Sequence, residues 1–342
     1  MQIYIDESGS FLKPRSGHRV SAVGALVVPD AQAPALFDGF TRLLQSWHRA
    51  GEVKGSQLSE IEIAGAIELV GNYDVLFDVR AINMGQHDAA RIAAFQDRQS
   101  AAVTEHITNA HHPSWQEWGA QTESRMRALS PQLFTQCMVT IYLVLDLIQV
   151  ATLYYAQRMP NELGHFRWRI DPKDPTRRTE LEMLWTDVIL PMGQTQSTGD
   201  AFSTMEGCDY SAFKRYYIDR KDMPEGLVQY MSDDPNAGGL DFKKILLEDL
   251  DFPDSASEVG PQIVDILLAA FCRALNGTLD ERGWAMLGRL MTQTPPNRNR
   301  IVFLRLDPNE HVQKEPREHA LPLRIFDRQV RDILTLDWRR SS

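Results

Sequence analysis

Cysteine is scarce in this sequence, and the few residues present are far apart. The 342-residue chain has three of them, at Cys137, Cys208 and Cys272. They form no paired motif, so the sequence has neither a disulfide framework nor the Cys/His spacing of a zinc site. This cysteine usage is typical of a reducing compartment, and we predict a cytoplasmic protein.

Positive charge is also in deficit. The formal net charge is −10, with 36 lysines and arginines against 46 aspartates and glutamates. This balance argues against a protein that coats nucleic acid through bulk charge. It does not exclude a nuclease, because a local basic groove together with bound metal can reverse the field at one site.

Targeting and membrane-spanning patterns are missing as well. The sequence enters a strand-like segment at once, without the basic stretch and apolar run of a signal peptide. The longest apolar segment begins at Ser130-Pro131, a typical helix start, and is interrupted by Asp146 and Gln149. We therefore predict a buried core helix at residues 130–157 and no membrane partner.

Segments with strand and helix periodicity alternate along the chain. A capping box at Ser59 and Glu62 marks one helix start, and Asn276-Gly277 marks the end of another helix. The predicted strands are 2–5, 20–28, 73–84, 165–170, 245–250 and 301–306, and the predicted helices are 34–50, 58–70, 130–157, 179–190, 261–275 and 326–334. The pattern predicts an α/β fold with a mixed sheet, whose first two strands form an antiparallel hairpin.

Acidic residues stand at the ends of two predicted strands. Asp6 and Glu7 follow the strand at residues 2–5, and Asp171 follows the strand at residues 165–170. In α/β sheets, functional groups gather at the carboxyl ends of the strands. Carboxylates at this place suit a hard cation, although Asp6 is also explained as the cap of a solvated turn.

One further acid interrupts an apolar helix. Asp265 lies within the predicted helix 261–275, and Gln262 stands three residues earlier on the same side. An uncompensated buried carboxylate costs several kcal/mol, so Asp265 needs a partner. A metal ion, a backbone N–H group or an ion pair with an arginine such as Arg169 would each serve.

Four segments together resemble a known family. They are Ile5-Asp-Glu-Ser-Gly9, Glu52-Val-Lys-Gly-Ser56, Arg169-Ile-Asp171 and the stretch from Asp254-Ser255 to Gln262-Ile-Val-Asp265. In this order they resemble the domain-of-unknown-function family 3800, whose members are mostly bacterial or phage-borne and whose activity is generally unassigned.

The resemblance implies a ribonuclease-H-like fold over residues 1–277. Such a fold would have a mixed sheet with helices on both faces, here with a helical insertion around residues 86–160. Residues 278–342 are not covered by the resemblance, and we expect them to form a C-terminal extension packed on this domain.

The resemblance also implies a site for Mg²⁺ or Mn²⁺. Two ions about 3.5–4 Å apart would clamp the attacking water and the leaving oxygen of a phosphodiester. Asp6 would bridge the ions, Asp171 and Asp265 would ligate them, and Glu52 would supply the remaining acid, with Glu7 as a substitute. The catalytic candidates are Asp6, Glu52, Asp171 and Asp265; the metal-ligand candidates are Asp6, Glu7, Asp171 and Asp265; the supporting candidates are Ser8, Gly9, Lys54, Asp254, Ser255 and Gln262.

Three functions fit these expectations. The first is a metal-dependent nuclease or related phosphodiester hydrolase, with nucleic acid or a nucleotide as substrate. The second is a non-catalytic module that binds nucleic acid or a protein in a bacterial or phage defence or regulatory system, and the third is a hydrolase of a small phosphorylated ligand. An acidic cluster repels phosphate unless metal is present, which favours an enzyme, and the net charge favours a short or confined substrate.

Overall fold

The computed structural model describes most of the chain. The described residues are 1–14, 20–49, 51–105, 107–109, 111–172, 179–199, 202–223, 238–253, 258–293, 301–306 and 319–334. Their strands are β1 (Gln2–Ser8), β2 (Val20–Val28), β3 (Leu76–Asn83), β4 (Arg167–Ile170), β5 (Tyr217–Ile218), β6 (Gly239–Leu240), β7 (Leu250–Asp251) and β8 (Val302–Phe303).

A mixed sheet of six strands carries the fold. Its order is β7-β4-β1-β2-β3-β8, while β5 and β6 pair separately. β2 is antiparallel to both β1 and β3, whereas the pairs β1–β4, β4–β7 and β3–β8 are parallel. The predicted mixed α/β fold and its opening antiparallel hairpin are therefore confirmed.

Helices cover both faces of this sheet. They are α1 (Ala33–Ser46), α2 (Glu60–Val70), α3 (Ala89–Ala102), α4 (Pro113–Ala128), α5 (Pro131–Arg158), α6 (Glu180–Leu184), α7 (Leu190–Gly199), α8 (Phe242–Leu247), α9 (Val259–Leu275), α10 (Glu281–Trp284) and α11 (Ala320–Gln329). Short 3-10 turns connect several of them, including one at Gly55–Gln57. The capping box predicted at Ser59 and Glu62 is present at the start of α2.

Side-chain alternation along β1 separates two hydrophobic cores. Ile3 and Ile5 are buried against α5 on one face, and Tyr4 is buried against α9 on the other. Successive residues of a strand point to opposite faces, so the same alternation assigns Asp6 to the α9 face and Glu7 to the α5 face. The cross-strand partner of Glu7 is Val23, which belongs to the α5 core.

α5 is the buried core helix that its sequence predicts. Ser130 caps it, with the side-chain oxygen accepting a hydrogen bond from the Leu133 N–H at 3.2 Å. Within the described residues, α5 alone has the length and composition of a membrane span, and 78% of its most apolar 18-residue window is buried in the protein. Such burial is the packing of a core helix.

Residues beyond 277 contribute to the sheet and to the core on its α9 face. β8 pairs with β3 at one edge of the sheet. Leu323 and Phe326 of α11 are buried with Trp284 in the core on the α9 face. The described part of the predicted C-terminal extension thus supplies both a strand and core side chains.

A helix occupies the first half of the strand predicted at residues 245–250, and β7 begins only at Leu250. α8 is capped by Asp241, whose carboxylate accepts a hydrogen bond from the Lys244 N–H at 2.8 Å. Phe242, Ile245 and Leu246 are buried, at the spacing of one helix face. A short apolar run is compatible with either a strand or a helix. In this segment the N-cap at Asp241 favours the helix.

Pro191 does not end the helix predicted at residues 179–190. A wider π-turn at Trp185–Ile189 follows α6, and α7 then continues through Pro191 to Gly199. Proline lacks an N–H and clashes with the carbonyl four residues earlier in a regular helix. A π-turn before it changes that hydrogen-bond register, so the helical path continues.

The last predicted helix is displaced towards the N-terminus. α11 ends at Gln329, and Val330 is extended. The backbone of Arg331 is bonded on both sides, because its N–H donates to the Met291 carbonyl and its carbonyl accepts from the Gln293 N–H. This pairing removes residues 330–334 from the helix predicted at 326–334.

Candidate functional site

Asp6 lies on β1 directly after the last residue that pairs with β4. β1 does not end at Ile5 as predicted, because its pairing with β2 continues to Ser8. Its parallel pairing with β4, in contrast, ends at the pair Ile5–Ile170. Asp6 is buried on the α9 face at this point of divergence.

Asp171 follows β4 directly and stands beside Asp6 in the register. The last paired residues are Ile5 and Ile170, so Asp6 and Asp171 are the next residues of two adjacent parallel strands. Neighbouring strands are about 4.8 Å apart where they pair. The register therefore places Asp6 and Asp171 at the same end of β1 and β4, directly after their last paired residues.

Asp265 reaches this place from α9. Its carboxyl group is hydrogen-bonded to Asp6, and its Oδ2 accepts a hydrogen bond from the Gly55 N–H at 2.6 Å. Burial raises the pKa of Asp265, against the opposing effects of the Gly55 N–H and the Lys54 ammonium. Two carboxyl groups in hydrogen-bond contact share a proton, because both cannot ionise at that distance.

An ion pair with Arg169 is not the partner of Asp265. The Arg169 guanidinium instead lies 2.9 Å from Asp249 Oδ1 and donates to the Trp168 carbonyl at 3.0 Å. Of the alternatives that the sequence left open, the structure shows a backbone N–H together with a second carboxyl group.

Glu52 and Lys54 complete the group. Their side chains form an ion pair. Burial acts to lower the pKa of Lys54, but the hydrogen bond and charge of Glu52 raise it, with further contributions from Asp171 and Asp265. Glu52 in turn acts on Asp265, whose pKa it raises. The structure thus brings together Asp6, Glu52, Lys54, Asp171 and Asp265, which we call the acidic site.

Ser8 and Gly9 support the end of β1. The Ser8 side chain is hydrogen-bonded to the Cys272 thiol, whose pKa burial raises to about 12. Gly9 has a φ of +100°, and a Cβ there would lie 2.4 Å from Ser21 Oγ. Ser21 Oγ also accepts a hydrogen bond from the Phe11 N–H, so the turn requires glycine.

Gln262 binds the segment that carries Glu52 and Lys54. Its Oε1 accepts a hydrogen bond from the Val53 N–H at 3.2 Å, and its side-chain amide donates to the Glu258 carbonyl at 3.4 Å. Gln262 is buried, so these bonds satisfy a side chain that has little contact with water.

Of the remaining candidates, the structure places Glu7 only. Glu7 is assigned to the α5 face by strand alternation, so it is not placed to substitute for an acid on the α9 face. Asp254 and Ser255 lie outside the described residues.

Sequence reasoning missed Cys272 and Arg273, which contact supporting parts of the site. Cys272 is bonded to Ser8, and Arg273 donates hydrogen bonds to the Gly55 and Leu58 carbonyls at 3.1 and 2.9 Å. Both belong to α9 and follow Asp265 by two turns. Their helical spacing from Asp265 was the available signal, but it does not name the partner.

The donor set suits a hard cation in its chemistry. Among the described residues, no group of three or more His, Cys, Asp or Glu side chains is already positioned to hold a metal ion. The Asp6 and Asp265 side chains are hydrogen-bonded to each other, an arrangement in which two carboxyl groups share one proton. A divalent cation can take the place of such a proton, and carboxylate oxygens are the ligands that Mg²⁺ prefers.

Comparisons with known proteins add no relative. No protein-family model, no curated protein and no solved structure matches the chain. The resemblance to family 3800 therefore remains a prediction that rests on the four short segments.

Proposed function

We propose that the protein is a divalent-metal-dependent hydrolase of phosphodiester bonds with a ribonuclease-H-like fold. The observation that carries this proposal is the contact between Asp6 and Asp265, which come from opposite ends of the domain and share a buried position beside Glu52 and Lys54. The mixed sheet with helices on both faces agrees with the fold that the family resemblance implies.

Asp6, Asp171 and Asp265 would hold the cation, and Glu52 would complete the set. When bound, Mg²⁺ or Mn²⁺ lowers the pKa of its bound water and offsets the charge of the phosphodiester. Asp6 would be the central ligand, because β1 is the neighbour of β4, which Asp171 follows, and the Asp6 side chain is hydrogen-bonded to Asp265 of α9.

Lys54 supplies positive charge within the acidic site. It pairs with Glu52 and lies within electrostatic reach of Asp171 and Asp265. One ammonium group among four carboxyl groups leaves an excess of negative charge, which repels phosphate in the absence of metal. Substrate binding is therefore expected to require the divalent cation.

The experiment that tests this function measures binding and cleavage together. Isothermal titration with Mn²⁺ and with Mg²⁺ is followed by cleavage of short single-stranded DNA, short RNA and bis(p-nitrophenyl) phosphate. We expect the wild type to bind the cation and cleave at least one of these probes. Asp6→Asn should abolish cleavage, because it keeps the shape of the side chain and removes the charge that holds the cation.

A matched control replaces an acid outside the site. Asp38 is an exposed residue of α1, and Asp38→Asn should leave both binding and cleavage unchanged. Cation binding without cleavage of any probe would favour the non-catalytic module instead. Cleavage that persists in EDTA, or in Asp6→Asn, would contradict the proposed chemistry.

A further inference from the structure

The segment that carries Glu52 and Lys54 is bonded to α9 through side chains. This segment, residues 52–58, has only a three-residue 3-10 turn of its own. The Val53 N–H donates to Gln262 at 3.2 Å, and the Gly55 N–H donates to Asp265 at 2.6 Å. Side chains of α9 thus bind backbone groups that a helix or a sheet would otherwise satisfy.

Arg273 adds two more bonds to the same segment. Its Nη1 donates to the Gly55 carbonyl at 3.1 Å and to the Leu58 carbonyl at 2.9 Å. Both backbone polar groups of Gly55 are therefore bound, the N–H by Asp265 and the carbonyl by Arg273.

These side chains form a single stripe along the helix. Gln262, Asp265, Ala269 and Arg273 follow one another at steps of three and four residues, which is one face of α9. The segment lies directly on this stripe, because a Cβ at Gly55 would stand 2.7 Å from both Ala269 Cβ and Ile266 Cα. Only glycine allows this close approach.

Alternation along the segment separates anchors from functional side chains. Val53, Gly55 and Leu58 are buried, whereas the side chains of Glu52 and Lys54 are 31% and 43% exposed. The backbone bonds at positions 53 and 55 thus flank the two charged side chains. Their placement beside Asp265 depends on how α9 holds the segment.

We propose that Arg273 and Gln262 are positioning residues, which place Glu52 and Lys54 in the acidic site by fixing the backbone of residues 52–58 on α9. The inference rests on the proposed function, since the site they complete is the predicted cation site. Neither residue needs to touch the cation, because each acts through backbone groups. Asp265 takes part both in fixing the segment and in the acidic site. Its Oδ2 accepts the hydrogen bond from the Gly55 N–H, and its carboxyl group is hydrogen-bonded to Asp6.

The test removes the Arg273 bonds and follows two readouts. Hydrogen–deuterium exchange of the peptide that spans residues 52–58 reports the backbone, and isothermal titration with Mn²⁺ reports the site. In Arg273→Met we expect faster exchange in this peptide and a Kd for Mn²⁺ raised about tenfold, as for other residues that orient metal ligands. Arg273→Lys keeps a donor and should restore part of the affinity.

Arg158→Met is the matched control. Arg158 ends α5 on the opposite face of the sheet and also donates to backbone carbonyls, those of Tyr154 and Ile333. Its loss should leave Mn²⁺ affinity and exchange at residues 52–58 unchanged. Gln262→Met provides an independent variant if Arg273→Met does not fold, with faster exchange expected at the N–H of Val53.

The outcomes separate the two proposals. If the wild type binds Mn²⁺ and the Arg273 and Gln262 variants bind it equally well, the positioning role is wrong and the proposed function stands. If the wild type binds no Mn²⁺ and cleaves no probe, the proposed function is wrong and the positioning role falls with it. A similar loss of affinity in Arg158→Met would show a general effect of destabilisation and also overturn the inference.

Discussion

Two groups of charged side chains lie on opposite faces of the same sheet, and their charges are balanced differently. On the α5 face, Arg80 is 1% exposed and pairs with Asp78 and Asp146, both at 2.7 Å. On the α9 face, Asp6 and Asp265 are bonded to each other, and Lys54 is the cation that pairs with Glu52.

The Arg80 group explains an acid within an apolar helix. Asp146 interrupts the hydrophobic run of α5 because its carboxylate binds the guanidinium of a strand residue. Arg80 also donates to the Val79 carbonyl, so its donors are directed at three acceptors around it. A cation enclosed in this way by acids and backbone has a structural role.

The acidic site lacks such a balance. Carboxyl groups contact each other there, whereas burial raises the pKa of Asp265 and of Asp78 alike. The comparison shows that the partner of a buried acid, rather than its burial, indicates the role of that acid. An arginine partner indicates a structural role, and an acidic partner indicates a candidate functional site.

The largest effect on stability is expected at the balanced group. Arg80→Met removes the cation between Asp78 and Asp146 and leaves two carboxylates without it. The free energy of unfolding should fall by about 3 kcal/mol, the lower end for a broken buried pair, because Asp146 is partly exposed. Urea denaturation measures this change, and a loss below about 1 kcal/mol would show that the group is not structural.

A smaller loss is expected where the 52–58 segment meets α9. Gly55→Ala places a methyl group 2.7 Å from Ala269 Cβ, so the segment or the helix must move. Urea denaturation should show a loss of about 1–3 kcal/mol, the usual cost of overpacking.

A second glycine provides the control for that change. Gly65 lies within α2, and a Cβ there meets only a Trp47 ring atom at the ordinary distance of 3.4 Å. Gly65→Ala should therefore stabilise the protein by about 0.5–1 kcal/mol. Equal effects of the two substitutions would argue against tight packing of the segment on α9.

The smallest stability effect is expected at Asp265, and its sign depends on pH. Because the pKa of Asp265 is raised in the folded state, its contribution to stability is greatest at low pH and is lost as the pH rises from its ordinary value of 3.8 through the raised pKa. Asp265→Asn removes this dependence. In EDTA at pH 7 the variant should be as stable as the wild type or about 1 kcal/mol more stable.

Thermal unfolding from pH 4 to pH 8 checks this dependence. The wild type should lose stability relative to Asp265→Asn as the pH rises. A rise of wild-type stability over the same range, relative to the variant, would mean that Asp265 acts as an ordinary stabilised carboxylate.

Local sequence signals predicted much of the fold. The Ser59–Glu62 capping box, the Ser130 N-cap and the apolar periods of β2, α5 and α9 depend on neighbouring residues, and the structure contains each of them. The short strands β7 and β8 have two residues each and are defined by their partners. Their bounds therefore carry little sequence signal.

The sequence indicated the residues of the acidic site better than it indicated their contacts. Asp6 and Asp171 could be proposed because each follows a predicted strand, and Asp265 because of its position in an apolar helix. The bonds of Gln262 and Arg273 to backbone groups could not be predicted in this way. A backbone acceptor is the same at every residue, so no sequence pattern indicates which carbonyl or N–H a side chain will reach.

Thermal unfolding with and without a divalent cation tests most directly whether the acidic site binds metal. Wild type, Asp6→Asn and Asp265→Asn are compared in EDTA and in Mg²⁺, with Asp146→Asn as the control on the opposite face. We expect Mg²⁺ at about 100 times its Kd to stabilise the wild type by about 2.7 kcal/mol, with the effect lost at Asp6 and Asp265 and kept at Asp146. A large loss of stability for Asp265→Asn in EDTA, with no stabilisation of the wild type by Mg²⁺, would contradict a metal site here.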